Sequence, residues 1–188
     1  AAITVPASVG LALLSGPIAT LMVGEALRAE TAATLPWLAI AGLMSGFGLY
    51  YWSEAFQLTR RTGQRALLML APGAVQLGLT AWLSATHGAV GAAVGATAGA
   101  SIGAILLALV GRRLMPLPLP VNELTRIALA TAAMTAAVVA LPGAHTTLGL
   151  FQSCALGAAT YGVAAIALNV LGVRDVAFAA ARTVARHP

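Results

Sequence analysis

The stretch HGAVGAAVGATAGASIGA, His87 to Ala104, repeats a glycine at every fourth residue. Residues four apart lie on one face of an α-helix, so this spacing removes the side chains from one helical face. Such a face lets a neighbouring backbone approach closely within a membrane. The stretch therefore predicts a closely packed membrane helix, with a sliding surface in a rocking transporter as the functional alternative. The four glycines, which we call the glycine ribbon, are Gly91, Gly95, Gly99 and Gly103.

The composition around this stretch is typical of a membrane protein. The chain has 188 residues, of which 60% are hydrophobic and 8% are charged, whereas a soluble domain carries about 25% charged residues. Its mean hydropathy is +0.91. All ten basic residues are arginine, and they occur in short clusters between apolar runs. This distribution fits the orientation of membrane helices and argues against nucleic-acid binding.

Apolar runs of sufficient length predict six membrane spans. About 20 residues that rise ~1.5 Å each cover a hydrocarbon core about 30 Å thick. The sequence therefore predicts an all-α, polytopic membrane helix bundle over residues 1–173, followed at 174–188 by a basic cytoplasmic tail that is either an interfacial helix or frayed. The spans are Val5 to Val23, Leu35 to Leu58, Ala66 to Ala85, Ala89 to Val110, Leu124 to Leu141, and Leu148 to Val173.

The arginine positions predict the orientation of these spans. With six spans, the gaps after the second, fourth and sixth lie on the same side of the membrane. Nine of the ten arginines fall in or beside these gaps, and only Arg28 lies on the opposite side. The positive-inside bias makes the arginine-rich side cytoplasmic, together with the C-terminus.

A polar stripe is predicted at the end of the second span. Phe47, Tyr50, Glu54, Gln57 and Arg61 recur at spacings of three and four, which places them on one face of a continuous helix. A stripe of rising polarity is expected to face protein or a cavity and not lipid. Glu54 is then either half of a structural ion pair with a nearby arginine or a carboxylate that binds a cation or a proton in a cavity.

Proline and glycine predict interruptions in two spans. The segment Ser15–Pro17 is expected to loosen or kink the first span, because proline cannot donate to the carbonyl four residues before it. Pro72 and Gly73 have the same effect in the third span, beside Gln76. Broken helices often line transport pathways, although prolines also occur in bundles for packing reasons.

Catalytic and metal-binding patterns are missing from the sequence. The histidines His87, His145 and His187 lie in predicted loops or the tail, and no HExxH motif or paired carboxylates accompany them. Ser45 lies in GLMSG, which is not the GxSxG turn of a serine hydrolase. Cys154 is the one cysteine, so no disulfide framework is available. We therefore expect no enzyme activity and no cofactor.

Four segments, taken in order, carry a resemblance to a known family. They are VGLALLSGPIATLMVGEAL, a span ending in YYWSEAFQLTRRTGQR, a span leading into HGAVGAAVGAT, and GRRLMPLPLPVNELTRIALA. Together they resemble the C-terminal part of bacterial polysaccharide and O-antigen flippases of the multidrug/oligosaccharidyl-lipid/polysaccharide exporter superfamily. The resemblance covers roughly Pro6 to Met134. The matching positions are Pro17, Gly24, Arg61, Thr62, Gly88, Gly91, Ala92 and Ala93, with the basic, proline-rich connector.

The resemblance implies the fold and the activity of the whole transporter. Such proteins have about 12 to 14 helices in two lobes around a central cavity, and this chain is expected to be the C-terminal portion without the N-terminal lobe. The implied activity is the flipping of undecaprenyl-pyrophosphate-linked oligosaccharide across the bacterial inner membrane by alternating access. The implied partners are this lipid-linked oligosaccharide, membrane lipids, the N-terminal lobe and the polysaccharide polymerase machinery.

The resemblance also assigns roles to polar residues. Arg60, Arg61 and Arg65 are expected to meet the pyrophosphate at the cytoplasmic mouth of the path, and Arg28 at the outer mouth. Simple topology anchoring is the alternative role of each arginine. The residues expected to line the path are Tyr50, Glu54, Gln57 and Gln76.

Two other functions stay open from the sequence. In a cation-coupled drug or metabolite antiporter of the same superfamily, Glu54 would be the coupling carboxylate. In a non-transporting membrane scaffold, the glycine ribbon would serve only to build a bundle or an oligomer.

Overall fold

A computed structural model describes residues 1–114, 121–140 and 146–170, without the side chains of Leu49, Glu54 and Thr62. Over these residues the protein is all-helical and contains no β-strand, which confirms the all-α class. The predicted tail at 174–188 lies outside the described residues. The helices are α1 (Thr4–Leu13), α2 (Ser15–Met22), α3 (Glu25–Phe47), a π-helix (Gly48–Trp52), α4 (Ser53–Leu58), α5 (Thr62–Leu114), α6 (Val121–Val139) and α7 (Thr147–Ala167).

The chain divides into two compact units. One unit is Leu11–Leu119, which we call the hairpin unit, and the other consists of Ala1–Gly10 with Pro120–Pro188, which we call the terminal unit. The polar residues that the sequence predicts to line a path all belong to the hairpin unit.

α5 is a hairpin of two helices. Gly88 has φ 61° and ψ −143°, a conformation that is open essentially to glycine alone, and the chain reverses there. The two arms, 62–87 and 89–114, run antiparallel, because Gly91 lies against Leu83 and Gly103 lies against Pro72. Each arm is about 39 Å long at ~1.5 Å per residue. A single straight helix of all 53 residues of α5 would be about 80 Å long and would exceed a bilayer.

By length and composition, fewer helices qualify as membrane spans than the six that the sequence predicts. Within residues 1–114, 121–140 and 146–170, three qualify, Glu25–Leu58, Gly63–Leu114 and Thr147–Ala167, or four if the bent pair α1 and α2 counts as one span. The second of these contains both arms of the hairpin. α6 is not among them, and its first two turns carry the polar residues Asn122, Glu123 and Arg126.

The first apolar run is divided at Leu14. This residue has φ −92° and ψ 10°, and it separates α1 from α2. Pro17 follows three residues later and has no amide hydrogen to bond the carbonyl of Leu13. The helix is therefore interrupted next to Ser15–Pro17, where one backbone hydrogen bond of a continuous helix cannot form.

α3 begins at Glu25, within a segment that the sequence analysis assigns to a loop before Leu35. The first turns of α3 are rich in alanine, a strong helix former. Glu25 lies in the first turn, where a negative charge complements the helix dipole, and it pairs with Arg28 at 3.5 Å. Local helix propensity therefore extends this helix beyond its most apolar part.

The core of the hairpin unit lies at the end of the hairpin opposite Gly88, where the first arm of α5 begins and the second arm ends. Trp52, Phe56 and Leu107 are buried there against each other. Tyr51 packs edge-to-face on Trp52 with ring centroids 5.0 Å apart. Gly111 allows the second arm to come close, since a Cβ atom there would lie 3.4 Å from the Trp52 carbonyl oxygen. This aromatic core fixes α4 and the π-helix on the second arm.

The terminal unit is built on α6 and α7. Gly157 of α7 lies against α6, because a Cβ atom there would be 3.1 Å from Val138 Cγ2. The Arg126 guanidinium donates to the Glu123 carboxylate and to the Asn169 carbonyl, both at 3.1 Å. Small residues and one arginine thus hold the two helices together.

Candidate functional site

A cavity of about 280 Å³ lies within the hairpin unit. The end of α3, the start of the π-helix and both arms of α5 line it. Its walls are mainly apolar, with Met44, Met69 and Leu107 among them, and Ser45, Arg65 and Gln76 add polar groups. We call it the Arg65 cavity.

Small residues create the space of the Arg65 cavity. Gly99, Ala100, Gly103 and Ala104 form the wall on the second arm of α5. On the first arm, Gly73 also lines the cavity, and a Cβ atom placed on it would meet nothing within 4 Å. The missing side chains leave a cleft that runs along the helices.

The Arg65 side chain has an unused hydrogen-bond donor. Its Nε atom is buried and has no hydrogen-bond partner among the described residues. A buried polar group without a partner destabilises a protein by about 1–3 kcal/mol, and a charged group by more. An anionic group in the cavity would therefore gain a charge-assisted hydrogen bond from this guanidinium.

Gln76 lines the same cavity and also forms part of the hairpin contact. A Cβ atom on Gly99 would lie 2.2 Å from Gln76 Cβ, so the glutamine stem occupies the space that glycine leaves free. Two residues of the predicted path, Arg65 and Gln76, thus line one cavity, eleven residues apart on the first arm.

The π-helix changes the predicted polar stripe. The Gly48 carbonyl accepts hydrogen bonds from both the backbone N–H and the hydroxyl of Ser53, the latter at 2.9 Å. This five-residue turn shifts the helical register, as π-helical turns do. Tyr50 is consequently 75% exposed, whereas Trp52 and Phe56 are buried. Tyr50, Gln57 and Arg61 of the predicted stripe are exposed, and Tyr50 does not line the cavity.

The other predicted path residues lie outside this cavity. Gln57, Arg60 and Arg61 are exposed at the end of α4, where Arg60 adopts a positive φ of 54°. Arg28 is held at the start of α3, and its Nε donates to the Val23 carbonyl at 3.2 Å. The backbone of Glu54 belongs to α4, and its side chain lies outside the described residues.

The hairpin gathers arginines that are far apart in sequence. Its antiparallel register places the start of the first arm beside the end of the second, so Arg112 and Arg113 lie at the same end as residues 60–65. The Arg112 guanidinium lies 5.3 Å from the ring centroid of Trp52, which is within cation–π range. We call this group the arginine end; its members are Arg60, Arg61, Arg65, Arg112 and Arg113.

The opposite end of the hairpin carries a contact that the sequence analysis did not predict. The Glu30 carboxylate accepts a hydrogen bond from the Ala89 N–H at 3.0 Å, just after the reversal at Gly88. It thereby caps the second arm, where amide donors have no helical partner. Glu30 lies in the gap between the first two predicted spans, far in sequence from Gly88, so no local pattern signals this contact.

Thr97 is a second residue that sequence reasoning missed. Its hydroxyl lies 2.8 Å from the Trp37 carbonyl of α3 and 2.8 Å from the Ala93 carbonyl of its own helix. Hydroxyl bonds between helices are common in membrane bundles. The position of Thr97 among the alanines next to the glycine ribbon was the only signal for this contact.

Comparisons with protein-family models, with curated proteins and with solved structures found no match to this chain. Among the described residues, no group of histidine, cysteine and carboxylate side chains could hold a metal ion. The functional proposal therefore rests on the residues of the hairpin unit and on the resemblance described above.

Proposed function

We propose that this chain is the C-terminal portion of a bacterial inner-membrane transporter of about 12 to 14 helices that flips undecaprenyl-pyrophosphate-linked oligosaccharide by alternating access. The observation that carries the proposal is the arginine end of the hairpin. Five arginines lie there, three on the two helix arms and two just before the first arm. The outward side chains of the arms are largely apolar and include Leu67, Leu77 and Ile105.

The arginine end suits the headgroup of such a substrate. A pyrophosphate is a multivalent anion that must leave water when it enters the transporter. Guanidinium groups are permanently charged and offer planar, two-point hydrogen bonding to phosphate oxygens. Arg60 and Arg61 are exposed and free to meet an incoming headgroup, whereas Arg112 is positioned over Trp52.

The proposed topology has six spans. They are α1 with α2, α3 through α4, the two arms of α5, α6, and α7. The arginine end is cytoplasmic because positively charged loops are retained on that side. The N-terminal lobe, which is not part of this sequence, would close the translocation path, and polysaccharide polymerase machinery would receive the product.

The glycine ribbon is assigned a structural part in this mechanism. Cβ atoms at Gly91, Gly95 and Gly99 would lie 2.1–2.7 Å from atoms of the first arm, so the two arms are in close contact along the ribbon. The arms would therefore move as one rigid body during alternating access. The π-helix is the candidate hinge, since such turns interrupt helices at functional positions.

The test of this function uses the full-length gene in its native host. Deletion is expected to remove the surface polysaccharide and to cause accumulation of its lipid-linked repeat inside the cell. Wild type restores the polysaccharide and removes the accumulation, whereas the double variant Arg60→Gln/Arg61→Gln restores little polysaccharide. Normal polysaccharide without accumulation in the deletion strain, with redundant genes excluded, would contradict the proposal.

A charge-conserving variant separates substrate recognition from membrane anchoring. The double variant Arg60→Lys/Arg61→Lys keeps the positive charge that sets topology but loses the planar guanidinium fork. We expect it to insert normally and to restore polysaccharide only in part. Full restoration by the lysine variant, with failure of the glutamine variant, would assign these arginines to anchoring alone.

The antiporter alternative depends on Glu54 and has its own test. If Glu54 couples transport to a cation, Glu54→Gln abolishes proton- or sodium-driven efflux of drugs by the purified transporter. A flippase predicts no such efflux in the wild type.

A further inference from the structure

The Arg65 cavity has the length of one membrane leaflet. Along the first arm it extends from Arg65 to Gln76, which is about 16 Å at ~1.5 Å per residue. Half of a hydrocarbon core about 30 Å thick is about 15 Å. With the arginine end at the membrane surface, the cavity therefore runs from the headgroup region to the bilayer midplane.

The two ends of the cavity differ in chemistry. Arg65, which is partly exposed, contributes a guanidinium whose Nε is buried and unpartnered among the described residues at the surface end, beside the other members of the arginine end. Toward the midplane the walls are formed by Met69 and Pro72 on one arm and by glycine and alanine on the other. An amphiphile with an anionic headgroup and a hydrocarbon chain of about one leaflet's length would satisfy both parts.

We propose that the Arg65 cavity binds one anionic glycerophospholipid of the cytoplasmic leaflet, with its phosphate on the Arg65 guanidinium and one acyl chain along the glycine- and alanine-lined cleft. The length of the cavity, about that of one leaflet, favours a phospholipid acyl chain over a polyprenyl chain, which is much longer than this cleft. Basic pockets between membrane helices are known to recognise anionic headgroups. The assignment to the cytoplasmic leaflet rests on the proposed membrane orientation, whereas binding of the lipid does not depend on flippase activity.

The lipid would act as part of the fold. It would supply the missing partner of Arg65 Nε and fill a space between α3 and the α5 hairpin that no described side chain occupies. Filling such a space restores contacts that an empty cleft lacks. Because Gly48 and Ser45 line the same cavity, an occupied cleft would also support the π-helix from one side.

The test measures lipid binding by native mass spectrometry of the full chain in detergent. Phosphatidylglycerol, phosphatidylcholine, undecaprenyl phosphate and inorganic phosphate are titrated separately. We expect phosphatidylglycerol to bind most tightly. Equal or tighter binding of phosphatidylcholine would overturn the role of the anionic charge, and equal or tighter binding of undecaprenyl phosphate would overturn the phospholipid assignment. Inorganic phosphate that binds as tightly would overturn the role of the acyl chain.

Two variants locate the site, each with a matched control. Arg65→Gln removes the donor, whereas Arg113→Gln removes the same charge from the same end without touching the cavity. Gly73→Leu fills the cleft, whereas Gly78→Leu adds the same side chain to the same arm outside it. Cβ atoms at both glycines would meet nothing within 4 Å, so neither leucine is forced into a clash at its Cβ.

We expect Arg65→Gln to weaken phosphatidylglycerol binding by about tenfold, as the loss of a charge-assisted hydrogen bond predicts. Gly73→Leu is expected to abolish saturable binding. Arg113→Gln and Gly78→Leu are expected to stay within about fivefold of wild type, the effect of one surface arginine. Unchanged affinity in Gly73→Leu, or equal losses in Arg65→Gln and Arg113→Gln, would overturn the assignment to this cavity.

Discussion

Gly99 lies directly against Gln76, and a Cβ atom on this glycine would come within 2.2 Å of Gln76 Cβ. The same relationship recurs along the hairpin, where a Cβ atom on Gly95 would lie 2.7 Å from the Thr80 amide nitrogen. Contacts this short exclude any side chain larger than hydrogen. The glycine ribbon is therefore the surface on which the two arms of α5 are joined.

Gly99→Ala is expected to lower the free energy of unfolding by about 1–3 kcal/mol, because the added methyl group forces the two arms apart. Gly42→Ala in α3 is the matched control, since a Cβ atom there would meet nothing within 4 Å. It should leave stability unchanged or raise it by up to about 1 kcal/mol. Denaturation in detergent micelles, followed by circular dichroism, compares the two variants. Equal stabilities would contradict the close packing at Gly99.

Gly88→Ala is expected to destabilise the hairpin by about 1–3 kcal/mol, because alanine adopts a backbone of φ 61° and ψ −143° only under strain. Its Cβ atom would also approach Glu30 Oε1 to 3.0 Å. Gly63→Ala, at a position of negative φ with open space, is the control. The melting temperatures of the two variants are compared by thermal unfolding. A Gly88→Ala protein as stable as Gly63→Ala would argue against the reversal of the chain at Gly88.

Thr97→Val should weaken the attachment of α3 to the second arm by about 0.6 kcal/mol, the average for hydroxyl bonds between membrane helices. The valine keeps the shape of threonine but cannot donate to the Trp37 carbonyl. Ser101→Ala removes a hydroxyl that bonds only within its own helix, to the Thr97 carbonyl at 2.8 Å. Unfolding measurements that show the larger loss in Ser101→Ala would be inconsistent with this contact.

Cysteine labelling tests the proposed orientation of the hairpin. In a Cys154→Ala background, Thr86→Cys lies near the reversal and Gln64→Cys lies at the arginine end; both positions are exposed. A membrane-impermeant thiol reagent added to spheroplasts should label Thr86→Cys at once and Gln64→Cys only after permeabilisation. The reverse pattern would place the arginine end outside the cytoplasm.

Part of this architecture could be predicted from the sequence because it depends on local chemistry. Four-residue glycine spacing requires a close helix contact, whichever helix supplies the partner, and the segment Ser15–Pro17 lies where α1 and α2 separate. The apolar runs likewise predict helices and exclude strands of the usual length. These features need no knowledge of distant residues.

Other features depend on contacts between distant segments and could not be read from a pattern. The π-helix forms where Gly48 packs against the second arm, since a Cβ atom built on Gly48 would lie 3.6 Å from Ala104 Cα. The capping of Ala89 by Glu30 joins residues 59 positions apart. Arg65 was predicted from its charge, but its place in a cavity follows from the hairpin register.

Transport by the complete protein, reconstituted in lipid vesicles, is the most direct test of the flippase proposal. A lipid-linked oligosaccharide is placed in the outer leaflet, and its protection from an externally added glycosidase is followed with time. Vesicles with the wild-type transporter should protect a growing fraction of the oligosaccharide, and the Arg60→Gln/Arg61→Gln variant should do so more slowly. Protection no greater than that in protein-free vesicles would contradict the proposal that this chain belongs to a flippase.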